Sequence, residues 1–196
     1  MLAQMKNQRS CTVGLAMVPI NPMNREHVFK FCPRCAGDFI YTDNHFKCAA
    51  CGLQYYLNPA ATVAVLIKHA DKILLVRRAR EPLKGMLSLP GGFIERYETA
   101  EEAAAREIKE ELNLDVTSLE YVNSDFNDYD YGGVTYNCLG FAYWATIATF
   151  HGMKPQDDVA AVEWWRLEDI KIEEVAFGAH QRVLEMLQDG LRRDPK

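Results

Sequence analysis

The sequence predicts an α/β fold in which helices cover a mixed sheet, preceded by a small cysteine-rich module. Three observations support this prediction. Several short runs rich in β-branched and aromatic residues lie between residues 61 and 166, which is typical of strands. Two well-separated segments have the apolar spacing of amphipathic helices. Four of the six cysteines fall into two close pairs before residue 52. Many strands combined with two helices indicate a layered domain.

Length and charge narrow the class of protein. The chain has 196 residues and a net charge of −5, which suits one domain with a small appendage. The acidic balance argues against a broad surface for DNA. No apolar run approaches the ~18 residues of a membrane-spanning helix, and residues 11–20 make a poor signal peptide. We therefore expect a cytoplasmic protein without a membrane partner, whose cysteines form no disulfides.

Composition divides the chain into three predicted parts: an irregular segment over residues 1–28, the cysteine-bearing segment 29–57, and the main domain 58–196, which follows a turn at Asn58-Pro59. In chain order the main domain begins with the strands ATVAVLIK and ILLVRR, a short strand near Leu87 and a helix over 99–112. A strand over 114–122, a hairpin that turns at Gly132-Gly133 and ends at 147, the strand VEWWRL and a closing helix over 175–191 follow.

The four cysteines before residue 52 follow the spacing C-x2-C, twelve residues, C-x2-C. Two such pairs are a strong signature of a structural zinc site, because tetrahedral Zn²⁺ takes four thiolates and leaves no open position. The segments FIYT and HFK between the pairs would form a small hairpin, so this module is predicted to be a zinc ribbon. A redox dithiol and ligation by His45 are the alternatives. The predicted zinc ligands are Cys32, Cys35, Cys48 and Cys51.

The helix over residues 99–112 has a clear start and a clear buried side. Thr99 and Glu102 fit a capping box, in which each side chain bonds the other residue's backbone N–H. Alanines in the first two turns favour helix. Ile108 and Leu112 fall on one face, which is expected to pack on the sheet.

The same helix collects acidic residues on another side. At about 100° per residue, Glu107, Glu110 and Glu111 share one face. A solvated charged face with pairs to Arg106 is the plain alternative. However, these acids do not alternate with lysines, and they lie toward the helix C-terminus, where the macrodipole disfavours negative charge. We therefore expect a divalent cation to neutralise them. Mg²⁺ suits oxygen ligands beside a substrate phosphate.

The segment GFIERYETAEEAAAREIKEELNL, from Gly92 to Leu114, resembles the Nudix box of the Nudix hydrolases. That box reads glycine, five residues, glutamate, seven residues, Arg-Glu, an apolar residue, any residue, Glu-Glu, any residue, glycine and an apolar residue. Every defined position matches except Asn113, which stands where the family has glycine. A left-handed backbone is needed just past the helix end, and asparagine adopts it readily. Asparagine in place of glycine should lower the free energy of unfolding slightly and leave the catalytic chemistry intact.

The resemblance covers roughly residues 60–190 and implies a Nudix α/β/α sandwich with a mixed sheet. It also implies roles for individual residues. Arg106 would pair with a glutamate such as Glu98 and so orient the acidic face. The implied ligands of Mg²⁺ or Mn²⁺ are the Gly91 carbonyl, Glu107, Glu110 and Glu111.

The implied reaction is hydrolysis of a diphosphate linkage, in which metal ions bridge phosphate oxygens and activate a water. A carboxylate must accept the proton of that water. Glu110 or Glu111 could do so, although a metal-bound carboxylate is a weak base. Asp158 stands where the NADH pyrophosphatase type has a metal-binding glutamate, and Asp157 adjoins it. The rivals, each also readable as a solvated loop acid, are Asp125, Asp128 and Asp130.

The expected partner is a small-molecule nucleotide substrate. Its phosphates could be held by cations before the box, with ordinary surface charge as the alternative; these are Arg78, Arg80 and Lys84. Tyr129, Tyr131 and Tyr136 flank the predicted hairpin turn. Their rings, that of Tyr136 in particular, could stack on a base or simply pack on the sheet.

A zinc ribbon ahead of a Nudix domain resembles the NADH pyrophosphatase branch. The S-Q-P-W-P-F-P-x-S element of that branch is absent, since the corresponding region reads DVTSLEYVNSDFNDYDYGG. ADP-ribose, FAD or another nucleoside diphosphate derivative is therefore as admissible as NADH. The ribbon is expected either to support a homodimer or to shape the substrate cleft. Two alternative functions remain: a nucleotide-sensing module, against which the complete acid set argues, and hydrolysis of nucleotide-capped RNA.

Overall fold

The structure, a computed structural model, describes residues 29, 31–41 and 45–193, and the predicted irregular segment 1–28 lies outside the described residues. The first strands are β1 (Phe39–Tyr41), β2 (His45–Cys48), β3 (Gln54–Tyr56), β4 (Ala60–His69), β5 (Lys72–Arg78) and β6 (Leu87–Ser88). They are followed by α1 (Ala100–Leu112), β7 (Val116–Tyr131), β8 (Val134–Ile147), β9 (Val159–Arg166) and α2 (Gly178–Arg193). Short 3-10 turns at Leu167–Asp169 and Ile172–Glu174 connect β9 to α2.

The cysteine-bearing segment folds as a small antiparallel sheet in the order β1-β2-β3. Its interior consists of aromatic rings packed around Phe46, which is 1% exposed. The rings of Phe39 and Tyr55 lie 4.4 and 5.2 Å from that of Phe46, centroid to centroid. A core this small leaves much of the module's stability to other interactions.

The main sheet has the order β6-β5-β4-β8-β7, and β9 pairs with β5. Strands β4 and β8 run parallel, whereas the other pairs are antiparallel. The sheet is therefore mixed, as the sequence predicts. The parallel pair lies at its centre. The first half of β4 lies beside the glycine-rich turn that precedes α1, since the Val63 N–H donates to the Gly92 carbonyl and the Val65 N–H to the Pro90 carbonyl.

Two apolar cores lie on opposite faces of this sheet, because successive side chains of a strand point to opposite faces. Val63, Val65 and Ile67 of β4 pack with the buried side of α1. Ala64 and Leu66 pack with Val183 and Leu184 of α2 and with their neighbours. The predicted sandwich of a sheet between two helices is confirmed.

Two elements differ from the sequence prediction. The strand over 114–122 and the first hairpin strand form one continuous strand, β7, which bends where its register with β8 shifts. The closing helix begins at Gly178, not at Val175. Val175 and Ala176 instead run beside Leu87, whose carbonyl accepts the Ala176 N–H at 2.6 Å. Phe177 then takes a left-handed backbone with φ of 66°, which delays the helix.

Within the part of the chain that the structure describes, neither helix combines the length and the apolar character needed to cross a bilayer.

Candidate functional site

Helix α1 is capped as the sequence predicts. The Thr99 hydroxyl accepts the Glu102 N–H at 3.2 Å, and the Glu102 carboxylate accepts the Thr99 N–H at 2.9 Å. Beyond the last turn, Asn113 has a left-handed backbone with φ of 54°. Ile108 and Leu112 are fully buried in the core. The caps and the buried face together fix the side of α1 that carries the acids.

Arg106 is the centre of this acidic side. Its Nε and Nη2 donate to the Glu98 carboxylate at 2.8 and 3.0 Å, so the predicted pairing of these residues is present. Its Nη1 donates to Glu107 at 2.9 Å and to Glu110 at 3.0 Å. Its Nη2 also donates to the Phe93 carbonyl at 3.0 Å. The hydrogen bond from Arg106 lowers the pKa of Glu98. One cation therefore holds three carboxylates in place.

Glu111 is the most deeply placed of the acids, with 5% of its surface exposed. Its Oε2 accepts the Gly91 N–H at 3.0 Å. Burial, and then the nearby charge of Asp158, raise the pKa of Glu111 to about 9. Burial also raises the pKa of Glu107. Buried carboxyls that cannot all ionise are typical of functional sites.

Gly91 and Gly92 let the backbone pass close to these acids. Gly91 has φ of 137°, and a Cβ at this position would lie 2.2 Å from the Val63 carbonyl oxygen. A Cβ at Gly92 would lie 2.4 Å from Oε1 of Glu107. The Gly92 carbonyl accepts the Val63 N–H at 2.8 Å, whereas no donor among the described residues bonds the Gly91 carbonyl. Among the described residues, the Gly91 carbonyl therefore has no donor, and it belongs to a turn that contacts both Glu107 and Glu111.

Two cavities open beside Asp158 and the chain that follows the glycine pair. The inner cavity, of about 210 Å³, lies between the sheet and α2. The outer cleft, of about 490 Å³, extends toward the β7–β8 hairpin. Arg78, Phe93, Tyr129 and Asp158 line both of them. A cation and a carboxylate therefore stand together at the junction of the two cavities.

The three predicted substrate cations have different places. Arg78 is at the junction, where its Nε donates to the Pro82 carbonyl at 2.9 Å and its guanidinium lies 4.7 Å from the centre of the Phe177 ring. Arg80 lines the outer cleft and pairs with Asp157 at 3.0 Å. Lys84 is exposed and lines neither cavity.

The three rival acids, expected in loops from the sequence, lie on strand β7 and are engaged elsewhere. Asp125 lines the inner cavity, but its carboxylate is bound by Arg182 of α2. Asp128 accepts a hydrogen bond from Asn137 at 3.4 Å, and Asp130 accepts the Thr135 hydroxyl. Asp158 is therefore the loop acid that the fold brings beside Glu111.

Aromatic side chains surround the outer cleft. Tyr131 and Tyr136 line it and are 60% and 42% exposed. In the inner cavity, the lining residues that the sequence did not single out include Phe93, Asn123, Phe177 and His180. Phe93 directly follows the glycine pair, and this position could have indicated that it lies at the candidate site. The other three reach the cavity only through contacts between segments distant in sequence.

The four predicted zinc ligands come together in the small sheet. The Sγ atoms of Cys32 and Cys51 are 3.7 Å apart, and those of Cys35 and Cys48 are 3.5 Å apart. Four thiolates in a tetrahedron around a metal at ~2.3 Å would be roughly 3.8 Å apart. Among the described residues, these are the only group of three or more metal-binding side chains whose donor atoms all lie within 4.8 Å. The cluster can therefore hold a metal ion.

The surroundings of the Cys48 sulfur also favour its thiolate form. The backbone N–H of Cys51 points at it from 3.5 Å, and this hydrogen bond is the largest of the interactions that lower the pKa of Cys48. Metal binding requires the thiolate. The turn that brings the second pair of cysteines together thus also favours the ionised sulfur.

A mixed sheet between two helices, with a glutamate-bearing helix directly behind a Gly-Gly turn, defines the Nudix class of protein. The family model of the NUDIX domain matches residues 57–187. The chain therefore belongs to the Nudix family.

Relatives with known names share parts of this chain. The ADP-ribose pyrophosphatase of Methanocaldococcus jannaschii is 54% identical over 59 residues, which is 30% of this chain and 35% of that protein. The NAD-capped RNA hydrolase NudC of Photobacterium profundum is 28% identical over 152 residues, which is 69% of this chain and 57% of that protein. The chain thus spans about a third to just over half the length of these two relatives.

Solved structures show the same fold. The crystal structure of a NUDIX hydrolase from Nitrosomonas europaea matches with a TM-score of 0.58 at 26% identity, over 83% of this chain and 94% of that one. The similarity extends beyond the glutamate helix and includes most of the sheet.

Proposed function

We propose that this chain is a divalent-metal-dependent hydrolase that cleaves the diphosphate linkage of a nucleoside diphosphate derivative. The observation that carries the proposal is the placement of Asp158 at the junction of two cavities, beside the buried Glu111. A diphosphate joins two chemical groups, and two cavities that meet at the reacting centre offer one place for each. Arg78 at the same junction supplies positive charge for phosphate oxygens.

The donor set suits a hard divalent cation. It consists of oxygen atoms only, and Mg²⁺ and Mn²⁺ prefer such ligands. Glu107, Glu110, Glu111 and the Gly91 carbonyl would hold the ion. When bound, the ion offsets charge on phosphate oxygens and acidifies a coordinated water. The four cysteines would hold a structural Zn²⁺, because they fill a tetrahedral site completely.

The chain's own acids supply the proton acceptor. Asp158 lines both cavities and lies beside Glu111. Glu111 would be bound to the metal ion, and a metal-bound carboxylate is a weak base. We therefore assign proton acceptance to Asp158, and Arg106 acts as a positioning residue for Glu107 and Glu110.

A panel of substrates tests the proposal. The purified protein is incubated with Mg²⁺ or Mn²⁺ and with ADP-ribose, NADH, FAD, a dinucleoside polyphosphate or a nucleoside triphosphate, and products are separated by chromatography. We expect metal-dependent release of a mononucleotide from at least one of the first three compounds. Cleavage of none of the five, with the protein folded and metal present, would reject the proposal.

Hydrolysis of nucleotide-capped RNA is the second candidate. The outer cleft favours it, because Tyr131 and Tyr136 leave exposed aromatic surface on which a further base can stack. The relative from Photobacterium profundum is named for this activity. An RNA with an NAD cap, compared with free NAD at equal concentration, separates the two candidates. Preference for the capped RNA that falls as salt rises would favour the second.

Replacing Arg106 with lysine should lower kcat by roughly 10- to 100-fold, because one ammonium group cannot hold three carboxylates in place. The free energy of unfolding should fall by roughly 1–3 kcal/mol, since partly buried acceptors lose their donors. Steady-state kinetics and thermal melting measure the two effects. Arg96→Lys is the matched control, because Arg96 contacts only Tyr97 among the described residues. Equal kcat for the two variants would contradict the positioning role.

A further inference from the structure

The inner cavity contains one side chain amide without a partner. Asn123, Asp125 and Asn127 lie on the same face of β7, and all three line the cavity. Asn127 Oδ1 accepts the Gly178 N–H at 2.9 Å, and Asp125 is bound by Arg182. These two residues attach β7 to α2. Asn123 makes no side chain hydrogen bond to any described residue, so its amide remains available to a ligand.

His180, in the first turn of α2, also lines the inner cavity, and its hydrogen bonds fix the proton on its ring. Its Nδ1 lies 3.2 Å from the Ser88 hydroxyl. That hydroxyl also lies 2.9 Å from the Leu89 carbonyl oxygen, which has no other donor among the described residues. A buried carbonyl without a donor is costly, so the single Ser88 proton goes to it. With the Ser88 proton directed to that carbonyl, we assign the ring proton of His180 to Nδ1, which donates to the Ser88 hydroxyl.

This arrangement leaves Nε2 of His180 as an unprotonated acceptor. No described residue donates to Nε2, and Ser88, the partner of the other ring nitrogen, does not line the cavity. Burial, and then the charge of Arg78, lower the pKa of His180 to about 4. The ring is therefore neutral at physiological pH and keeps its lone pair.

We propose that the inner cavity binds one planar heterocycle of the substrate through an edge that carries an NH2 group beside an acceptor atom. His180 Nε2 accepts a hydrogen bond from the NH2 group, and the Asn123 amide bonds the adjoining edge. This inference rests on the proposed function only in that the ligand is a nucleotide. Two sources share the required chemistry: the aminated ring of adenine and the carboxamide of a pyridine ring.

The remaining cavity wall fits a flat ring. Val63, Phe141 and Val183 supply apolar surface, and Gly140 adds no side chain. A small cavity with apolar walls and a few fixed polar groups selects its ligand by the hydrogen bonds that are lost when the wrong group enters. A ligand with a carbonyl or carboxylate oxygen in place of NH2 would set lone pair against lone pair at Nε2.

Equilibrium binding of two pairs of mononucleotides tests the inference without any turnover. AMP is compared with IMP, and nicotinamide mononucleotide with nicotinic acid mononucleotide, by calorimetric titration. In each pair an oxygen replaces the NH2 group. We expect the aminated member of one pair to bind at least about 10-fold more tightly. The pair that shows the preference identifies which ring the inner cavity takes.

Substitution of His180 with phenylalanine should abolish that preference, because the ring volume stays and the acceptor is lost. His151→Phe is the matched control, since His151 is exposed in a turn and lines neither cavity. Equal binding within both pairs by the unmodified protein would overturn the inference. So would a preference that survives in the His180→Phe variant.

A second variant keeps the test decisive if His180→Phe does not fold. Ala179→Leu adds volume within the cavity while retaining a good helix former, and it should weaken binding of the preferred mononucleotide at least about 10-fold. Unchanged binding would overturn the inference. Since these measurements need no catalysis, selective binding without turnover would reject the proposed hydrolysis and leave the binding site in place.

Discussion

Replacing Glu111 with glutamine should lower kcat by about 10³-fold, equivalent to roughly 4 kcal/mol of lost transition-state stabilisation. The amide can still accept the Gly91 N–H, so the local hydrogen bond survives. What the variant loses is the charge that would hold a divalent cation and the carboxyl that pairs with Asp158. Binding of a mononucleotide in the inner cavity should change little.

The same variant should be more stable than the parent protein when metal is removed by a chelator. In the folded protein the pKa of Glu111 is raised from the ordinary 4.5 of a glutamate to about 9. The contribution of this carboxyl to the free energy of unfolding is therefore fully present below about pH 4.5 and is lost as pH rises toward 9. Glutamine does not titrate. The free energy of unfolding of the metal-free variant at pH 7 to 8 should exceed that of the parent by roughly 1–3 kcal/mol.

Chemical denaturation across this pH range and steady-state kinetics with Mg²⁺ provide the two measurements. Glu120→Gln is the matched control, because Glu120 is an exposed acid on β7 that lines neither cavity. Normal turnover by Glu111→Gln would refute the assigned role. A metal-free stability no higher than that of the parent at pH 8 would show that the buried carboxyl carries no penalty.

Replacing Cys32 with serine should release one equivalent of zinc and unfold the cysteine-bearing segment. Its core is a single group of aromatic rings around Phe46, and such a core supplies only a few kcal/mol. Structural zinc contributes apparent binding energies of about 10–16 kcal/mol. Loss of one ligand therefore removes most of the stabilisation of β1 to β3.

The position of the tryptophans allows the two parts of the chain to be followed separately. The three tryptophans are Trp144, Trp164 and Trp165, all in β8 and β9. We expect elemental analysis to show zinc loss and limited proteolysis to cut within residues 29–57, while tryptophan fluorescence stays near that of the parent. Cys138→Ala, which removes a cysteine outside the cluster, should keep its metal. Unchanged zinc content in the Cys32→Ser protein would refute the site.

Local sequence predicted those features of the fold that neighbouring residues determine. The Thr99 and Glu102 side chains specify the start of α1 within three residues of chain, and Asn113 specifies its end. The apolar run ATVAVLIK predicts the strand β4. The predicted start of α2 at Val175 was wrong, because Val175 and Ala176 pair with Leu87 instead. Leu87 is far away in sequence, and nothing in the local pattern indicates that contact.

The acids of the candidate site also show which properties depend on neighbouring residues and which depend on distant contacts. Helical periodicity alone places Glu107, Glu110 and Glu111 on one face. It does not determine that Glu111 is buried against Gly91, or that Asp158 rather than Asp128 lies next to it. Burial and proximity depend on how β4, α1 and the loop before β9 pack together, and these packed elements lie many residues apart.

The sequence by itself determined the glutamate-bearing helix with its caps, the four-cysteine cluster and the alternation of strands, because each depends on spacing within a short stretch. Only the tertiary structure decided where Arg78 and Lys84 stand relative to the site, how Asn123 and His180 meet in one cavity, and which carboxyl is desolvated. Those properties arise from the exclusion of water between segments distant in the chain, and exclusion of water exists only once the segments are packed.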